Sequence, residues 1–292
     1  MIEKRVAENK RFSDRFVDSV EFKSISEFHE FITTTDTNSV FIDNERADLL
    51  DSMDTGYCAE SFTGSKSFEE AEQLLVNGWE SKAQELNKKL KAVEKSMAPV
   101  MKQKQVIGVA GYQPVVPLFL MGVPAAMVSK KMVPTKSKII TVVKSVSYTG
   151  MTPAYKWTEE GVKALAIVRS LEANGYRCNI DIIRAGWSME GSQGISCRVR
   201  VKKANERLNV SKMAFALCHP SMQRRLFFRF TETYDRVTSG FKPGYGVTMN
   251  PSEIKSTLIN KDEVFIPQFL NGDPSKVKKL EDIEAMTSSR MF

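Results

Sequence analysis

The sequence predicts an α/β fold, a sheet with flanking helices, joined to a mainly helical N-terminal region. Three observations carry this. Residues 139–143 are a continuous β-branched run, as a strand buried on both faces should be. An amphipathic helix follows and stops at Gly175, a residue suited to the left-handed turn after a helix. A second strand, 177–184, begins at once. With 292 residues and 42% hydrophobic content, one such domain plus an N-terminal region fits the chain.

Residues 1–100 form the N-terminal region. Residues 26–32 read as a short helix capped by Ser24 or Ser26, followed by a small strand at 40–42. Ser67 with Glu70 three residues on makes a capping box. Ala71, Leu74, Leu75 and Trp79 then repeat at helical spacing, with Gly78 near the end. Residues 80–97 form a second helix with Leu86, Leu90 and Val93 as its apolar stripe. Lys88, Lys89, Lys91 and Lys95 are its solvated face.

Residues 101–137 are a connector. A strand is expected at 106–110. The apolar run 115–128 is broken by Pro117 and Pro124, so it reads as short helical turns at 117–121 and 125–128 packed on the core. The other reading is a partner-binding surface. Residues 129–138 are basic.

Residues 138–292 alternate strands and helices. Thr158 is the expected cap of the first helix, with Glu159 and Glu160 favoured by its dipole. Residues 195–201 alternate apolar and basic side chains, which fits an exposed or edge strand. Asn209 caps the next helix, and Pro220 restarts another at its first turn. Asn250, Pro251 and Glu253 open a further helix. A short strand at 264–266 and a helix at 275–286 close the chain. There is no internal repeat.

The net charge of +7 favours anionic partners: nucleic acid, an acidic protein or a membrane surface. Cys58, Cys178, Cys197 and Cys218 form no CxxC pair, so reduced thiols are expected, three of them as small core residues. The N-terminus is polar and charged, and the most apolar run is too short and interrupted to span a bilayer. The expected setting is the cytoplasm of a host cell, with the virion as the alternative, and no membrane partner is expected.

Residues 139–143, the hydroxyl-rich loop from Ser145, the helix ending Leu171-Glu172-Ala173-Asn174-Gly175-Tyr176-Arg177 and the following strands resemble the opening of a von Willebrand A-like (Rossmann-like) fold. Metal-binding members of that family carry Asp-x-Ser-x-Ser after the first strand. Here the triplet is Ser145, Ser147 and Thr149, with Lys144 before it. The resemblance implies a degenerate, metal-free loop that serves as a polar contact. A second resemblance runs through 62–79 and 111–124, which look like an uncharacterised family of bacteriophages and mobile elements. It implies a phage-type origin and no reaction.

No phosphate-binding glycine motif is present, and 240–246 reads as a turn. His219 adjoins Cys218, but neighbours in sequence point apart, so it reads as a helix-junction residue. The strongest basic cluster is Arg224, Arg225 and Arg229 among Phe227, Phe228 and Phe230, which Arg198 and Arg200 could join to bind nucleic acid. The alternative is a helix with phenylalanines inward and arginines in water. No catalytic constellation and no cofactor are legible. The expected function is a non-catalytic binding or assembly protein engaging nucleic acid or a phage or host protein. The alternatives are a virion structural component and a metal-dependent enzyme acting on nucleic acid.

Overall fold

The structure, a computed structural model, describes residues 1–7, 15–41, 60–94, 101–134, 138–242, 244–270 and 282–283. Along the chain come β1 (Ile2–Ala7), β2 (Phe16–Phe22), α1 (Ile25–Thr34), α2 (Glu60–Thr63), α3 (Phe68–Asn77) and α4 (Glu80–Glu94). Next are β3 (Met101–Gly108), β4 (Gln113–Pro114), α5 (Val116–Leu120) and β5 (Met127–Pro134). Then follow β6 (Lys138–Ser145), α6 (Ala154–Ala173), β7 (Tyr176–Trp187), β8 (Gln193–Lys202) and α7 (Val210–Cys218). A π-helix (Met222–Phe227) runs straight into α8 (Phe228–Thr233), and β9 (Val247–Thr248), α9 (Pro251–Leu258) and β10 (Glu263–Ile266) complete the described elements.

The main sheet has the order β1-β2-β8-β7-β6-β10, with β9 added to the end of β7. Three pairings are parallel: β2 with β8, β7 with β6, and β6 with β10. Alternation along each strand sorts its residues onto two faces. Ile140, Val142, Ile180 and Ile182 join the larger core beneath α1, α3, α4, α6, α7 and α8. Val143, Ile183, Ala185 and Trp187 join a smaller cluster with Ile254 of α9. The expected α/β class and flanking helices are present. Among the described residues, no helix is long and apolar enough to cross a membrane.

Several local expectations hold. Ser67 accepts from the Glu70 amide as a cap, while the Glu70 carboxylate accepts from the Lys66 amide, one residue before the one a capping box uses. Asn209 caps α7, and Asn250 with Glu253 forms a capping box. Ser24, not Ser26, caps α1. Gly175 has φ +88, the left-handed conformation expected of it. Cys178, Cys197 and Cys218 are free and buried, and Cys58 lies outside the described residues.

Other expectations are corrected. The N-terminal region is not only helical: β1 and β2 extend the sheet, and β2 lies beside β8. This makes β8 an interior strand, not an edge. Val40 and Phe41 lie in a turn, and residue 42 lies outside the described set. Helix α6 starts at Ala154, four residues before Thr158, because Pro153 leaves the chain already extended at its entry. Thr158 instead bonds to the carbonyls of Ala154 and Cys218. The helix expected at 275–286 is described only at 282–283.

The largest correction is the connector. Residues 101–134 do not pack on the core. β3, β5 and β4 form a separate three-stranded antiparallel sheet with α5 at its far end. Its elements pack on one another and make no substantial contact with the layered body. Phe119 is 66% exposed and Leu120 79%, with Val109, Tyr112, Val116 and Met121 also exposed. Pro117 stands in the first turn of a short helix at the tip of an arm, and Pro124 lies beyond that helix.

Candidate functional site

Strand β6 ends at Ser145, and the loop after it continues the pairing with β7. The Val146 amide donates to the Ile183 carbonyl, and the Ala185 amide donates to Ser147 Oγ at 2.8 Å. The Ser147 amide faces Ser145 Oγ at 3.4 Å, and both serines are buried. Thr149 is exposed, and its hydroxyl meets that of Thr152 at 3.1 Å. The three hydroxyls are therefore engaged in shaping the loop. Among the described residues, no group of three His, Cys, Asp or Glu gathers in a way that could hold a metal ion.

Lys144 points to the opposite face from Ser145 and is buried. Its ammonium donates to the Pro267 and Gln268 carbonyls just beyond β10, tying two strand ends together. Burial pulls its pKa down to about 7, and Glu160 partly offsets that. Tyr148 stands beside it, its ring tilted against Trp157, and its hydroxyl donates to the Gln268 carbonyl. Gln223 clamps Tyr148 from the π-helix, accepting from its amide and donating to its carbonyl.

The five candidate arginines do not form one exposed face. Arg198 and Arg200 lie on the smaller-core face of the sheet, both bonded to Asp181, and Arg198 also forks onto Glu263. Arg224, Arg225 and Arg229 are all buried. The helix expected to keep its arginines in water is buried, because residues of the N-terminal region and of the loop after β6 cover it. Arg225 donates to Ser65 Oγ and to the Ser65 and Lys66 carbonyls. Arg229 donates to Thr37 Oγ1 and lies 3.6 Å from Glu232. These two residues fasten residues 32–37 and 65–66 onto the sheet-covering helix.

Arg224 is different. Its guanidinium donates to the carbonyls of Phe62, Gly150 and Thr152 and lies 4.0 Å over the Phe62 ring. Arg184, on β7, donates to Thr231 Oγ1 and, at 2.6 Å, to the Tyr245 carbonyl. Burial lowers both pKa values to about 10, so both stay charged at neutral pH. Among the described residues, neither has a carboxylate at ion-pair distance. Both line a cavity of about 360 Å³ at the C-terminal end of β6, the end where open α/β sheets take their ligands.

The walls of this cavity are held tightly. Tyr245 has φ +61, unusual for a side chain that bulky, between Gly244 and Gly246, which are also left-handed. The ring stacks on Phe228 at 3.9 Å, and the hydroxyl donates to Glu232 at 2.6 Å. These contacts hold the strained backbone, and they aim the Tyr245 carbonyl at Arg184. The opposite wall includes part of the π-helix, a geometry often found at functional sites. His219 lies outside the cavity, capping α7 as a junction residue, its Nδ1 accepting from the Ser221 amide.

Sequence reasoning missed Arg184, Tyr245 and the arm. Arg184 is a lone cation on the helix-covered face of β7, and 240–246 was read only as a turn, which it also is. The arm had a legible signal: no Asp or Glu stands between Glu94 and Glu159, while nine lysines do.

These features define a helix-covered α/β protein with a cationic cavity at its strand ends and a basic, apolar-tipped arm. The chain belongs to a family described as a domain of unknown function (DUF7192), whose profile matches residues 10–289. No curated protein and no solved structure matches it.

Proposed function

We propose that the chain is a non-catalytic, phage-type binding and assembly protein that engages nucleic acid through its arm and uses a metal-free von Willebrand A-like domain as its scaffold. Two observations support that scaffold. The chain order β6, loop, α6, β7, β8 and α7 follows the pattern of the resemblance. The degenerate loop Ser145, Ser147 and Thr149 lies at the end of β6.

The observation that carries the binding reading is the charge of the arm. Its described stem residues Lys104 and Lys131 are cross-strand neighbours, and Lys130 pairs with Gln105. All are on a ribbon with no acidic residue to offset them. A two-stranded ribbon fits the major groove of a duplex, and apolar or proline tips wedge between base steps. The test is fluorescence anisotropy with duplex DNA and RNA across a salt series. Binding is expected to weaken with salt, and K104E/K130E/K131E is expected to reduce the log–log slope by roughly 2–3. Absence of binding to both at low salt overturns the reading.

The exposed tip favours a second reading, a virion component in which another subunit covers Phe119 and Leu120. High copy number in purified particles, with no affinity for nucleic acid, decides for it.

A further inference from the structure

We propose that the cavity between the 148–152 loop, the π-helix and the 244–248 turn is a binding site for a nucleotide-type ligand, a phosphate attached to a planar ring. Arg184 and Arg224 supply the counter-charge. The inference rests on the cavity alone and does not need the arm.

Charge is the first argument. Neutral carbonyl and hydroxyl oxygens accept from Arg184 and Arg224, and they leave both net charges uncompensated in a water-poor setting. Two other buried arginines meet carboxylates: Arg198 those of Asp181 and Glu263, and Arg229 that of Glu232. A buried cation without an anion destabilises a fold, and a bound anion removes that cost.

Size and wall chemistry are the second argument. A lone phosphate does not fill about 360 Å³, which lies in the range of small-ligand pockets. The remaining lining includes Phe62, Phe228 and Tyr245, whose rings give the apolar wall that a planar ring packs against. Backbone preorganisation is the third. The strained Tyr245 between two left-handed glycines is fixed by its ring and hydroxyl before any ligand arrives. Strain held this firmly beside a cavity fits a site built to bind.

One ligand chemistry here has two sources, a free mononucleotide or the phosphorylated end of a strand. The experiment is a thermal-shift and calorimetric titration of the full chain with four probes. These are inorganic phosphate, a mixture of nucleoside 5′-monophosphates, and a short single strand with or without a 5′-phosphate. At saturation a nucleotide-type probe is expected to raise Tm by roughly 5 °C, with phosphate alone binding at least tenfold more weakly. A preference for monophosphates identifies a free nucleotide, and a preference for the phosphorylated strand identifies a strand end. Either outcome supports the site.

Arg184→Met is expected to abolish binding. Because that change also touches the fold, Gly150→Trp is the second variant. Gly150 lines the cavity, and a Cβ there meets no atom within 4 Å. This variant should keep the ligand-free Tm and lose the ligand-induced shift. No shift with any probe at millimolar concentration, or an undiminished shift in Gly150→Trp, overturns the proposal.

Discussion

His219 gives the fold a pH dependence that can be worked from its surroundings. The ring is buried, perpendicular to Trp79 at 4.6 Å and stacked on Phe215 at 5.2 Å. Nδ1 accepts from the Ser221 amide at 3.2 Å, so it is the unprotonated nitrogen. Burial lowers the pKa from 6.5 to about 4, more than Glu70 and the Gly64 carbonyl raise it. Between those two values the unfolded chain takes a proton that the folded chain refuses. Stability is therefore full above pH 6.5 and falls as pH drops towards 4. The whole window spans about 3 kcal/mol, of which about 2 kcal/mol falls between pH 7 and 5. The perturbation is His219→Gln, whose side-chain oxygen can still accept from Ser221 without titrating. Urea denaturation followed by tryptophan fluorescence at pH 7 and pH 5 is the assay. The wild-type chain should lose about 2 kcal/mol more than the variant on acidification. Equal losses refute the reasoning, as does a ring proton that titrates by NMR near pH 6.5.

Three further outcomes are expected. Gly161→Ala should destabilise by about 1–3 kcal/mol in the same denaturation assay, since its Cβ would lie 2.3 Å from the Leu217 carbonyl oxygen and 2.5 Å from Cys218 Sγ, where α6 crosses α7. Asp181→Asn should cost on the order of 3 kcal/mol, because it removes the carboxylate that Arg198 and Arg200 share, and Arg200→Gln in the same background should recover part of the loss. Lys144 holds a proton less tightly folded than unfolded, so stability should rise with pH from about 7 to 10.5. Lys144→Met should flatten that rise, which amounts to roughly 3–5 kcal/mol, and should raise Tm at pH 7.

What could be read from the sequence was local. Ser67, Asn209, Asn250 and Gly175 act through backbone groups two or three residues away, so their roles survive any tertiary arrangement. The strand 139–143 was legible because a sheet buried on both faces needs an unbroken apolar run. Burial of charge was not legible. Arg225 and Arg229 look solvated from their own helix, and only partners about 160 and 190 residues earlier enclose them. The edge assignment of β8 failed for the same reason, since β2 pairs with it from the far end of the chain. The tip of the arm reversed the rule that apolar means buried: its residues have the composition of a core and no layer to pack against.

The two ends of the main sheet show why the cavity, and not the arginine cluster named from the sequence, is the candidate site. Arginine is buried at both. Towards the N-terminal half of β7, Asp181 lies opposite Arg200 in register, and Glu263 reaches Arg198 from β10, so two cations meet two carboxylates. That set is complete within the chain and calls for no partner. At the C-terminal end, Arg184 and Arg224 meet only carbonyl and hydroxyl oxygens, and the nearby buried Glu160 is engaged with Lys163 and the Leu270 amide. A fold that neutralises its buried arginines at one end and leaves them open at the other concentrates positive potential where a cavity already exists. An anion entering there gains from both guanidiniums in a low-dielectric setting, while an anion at the opposite end would have to displace a carboxylate first.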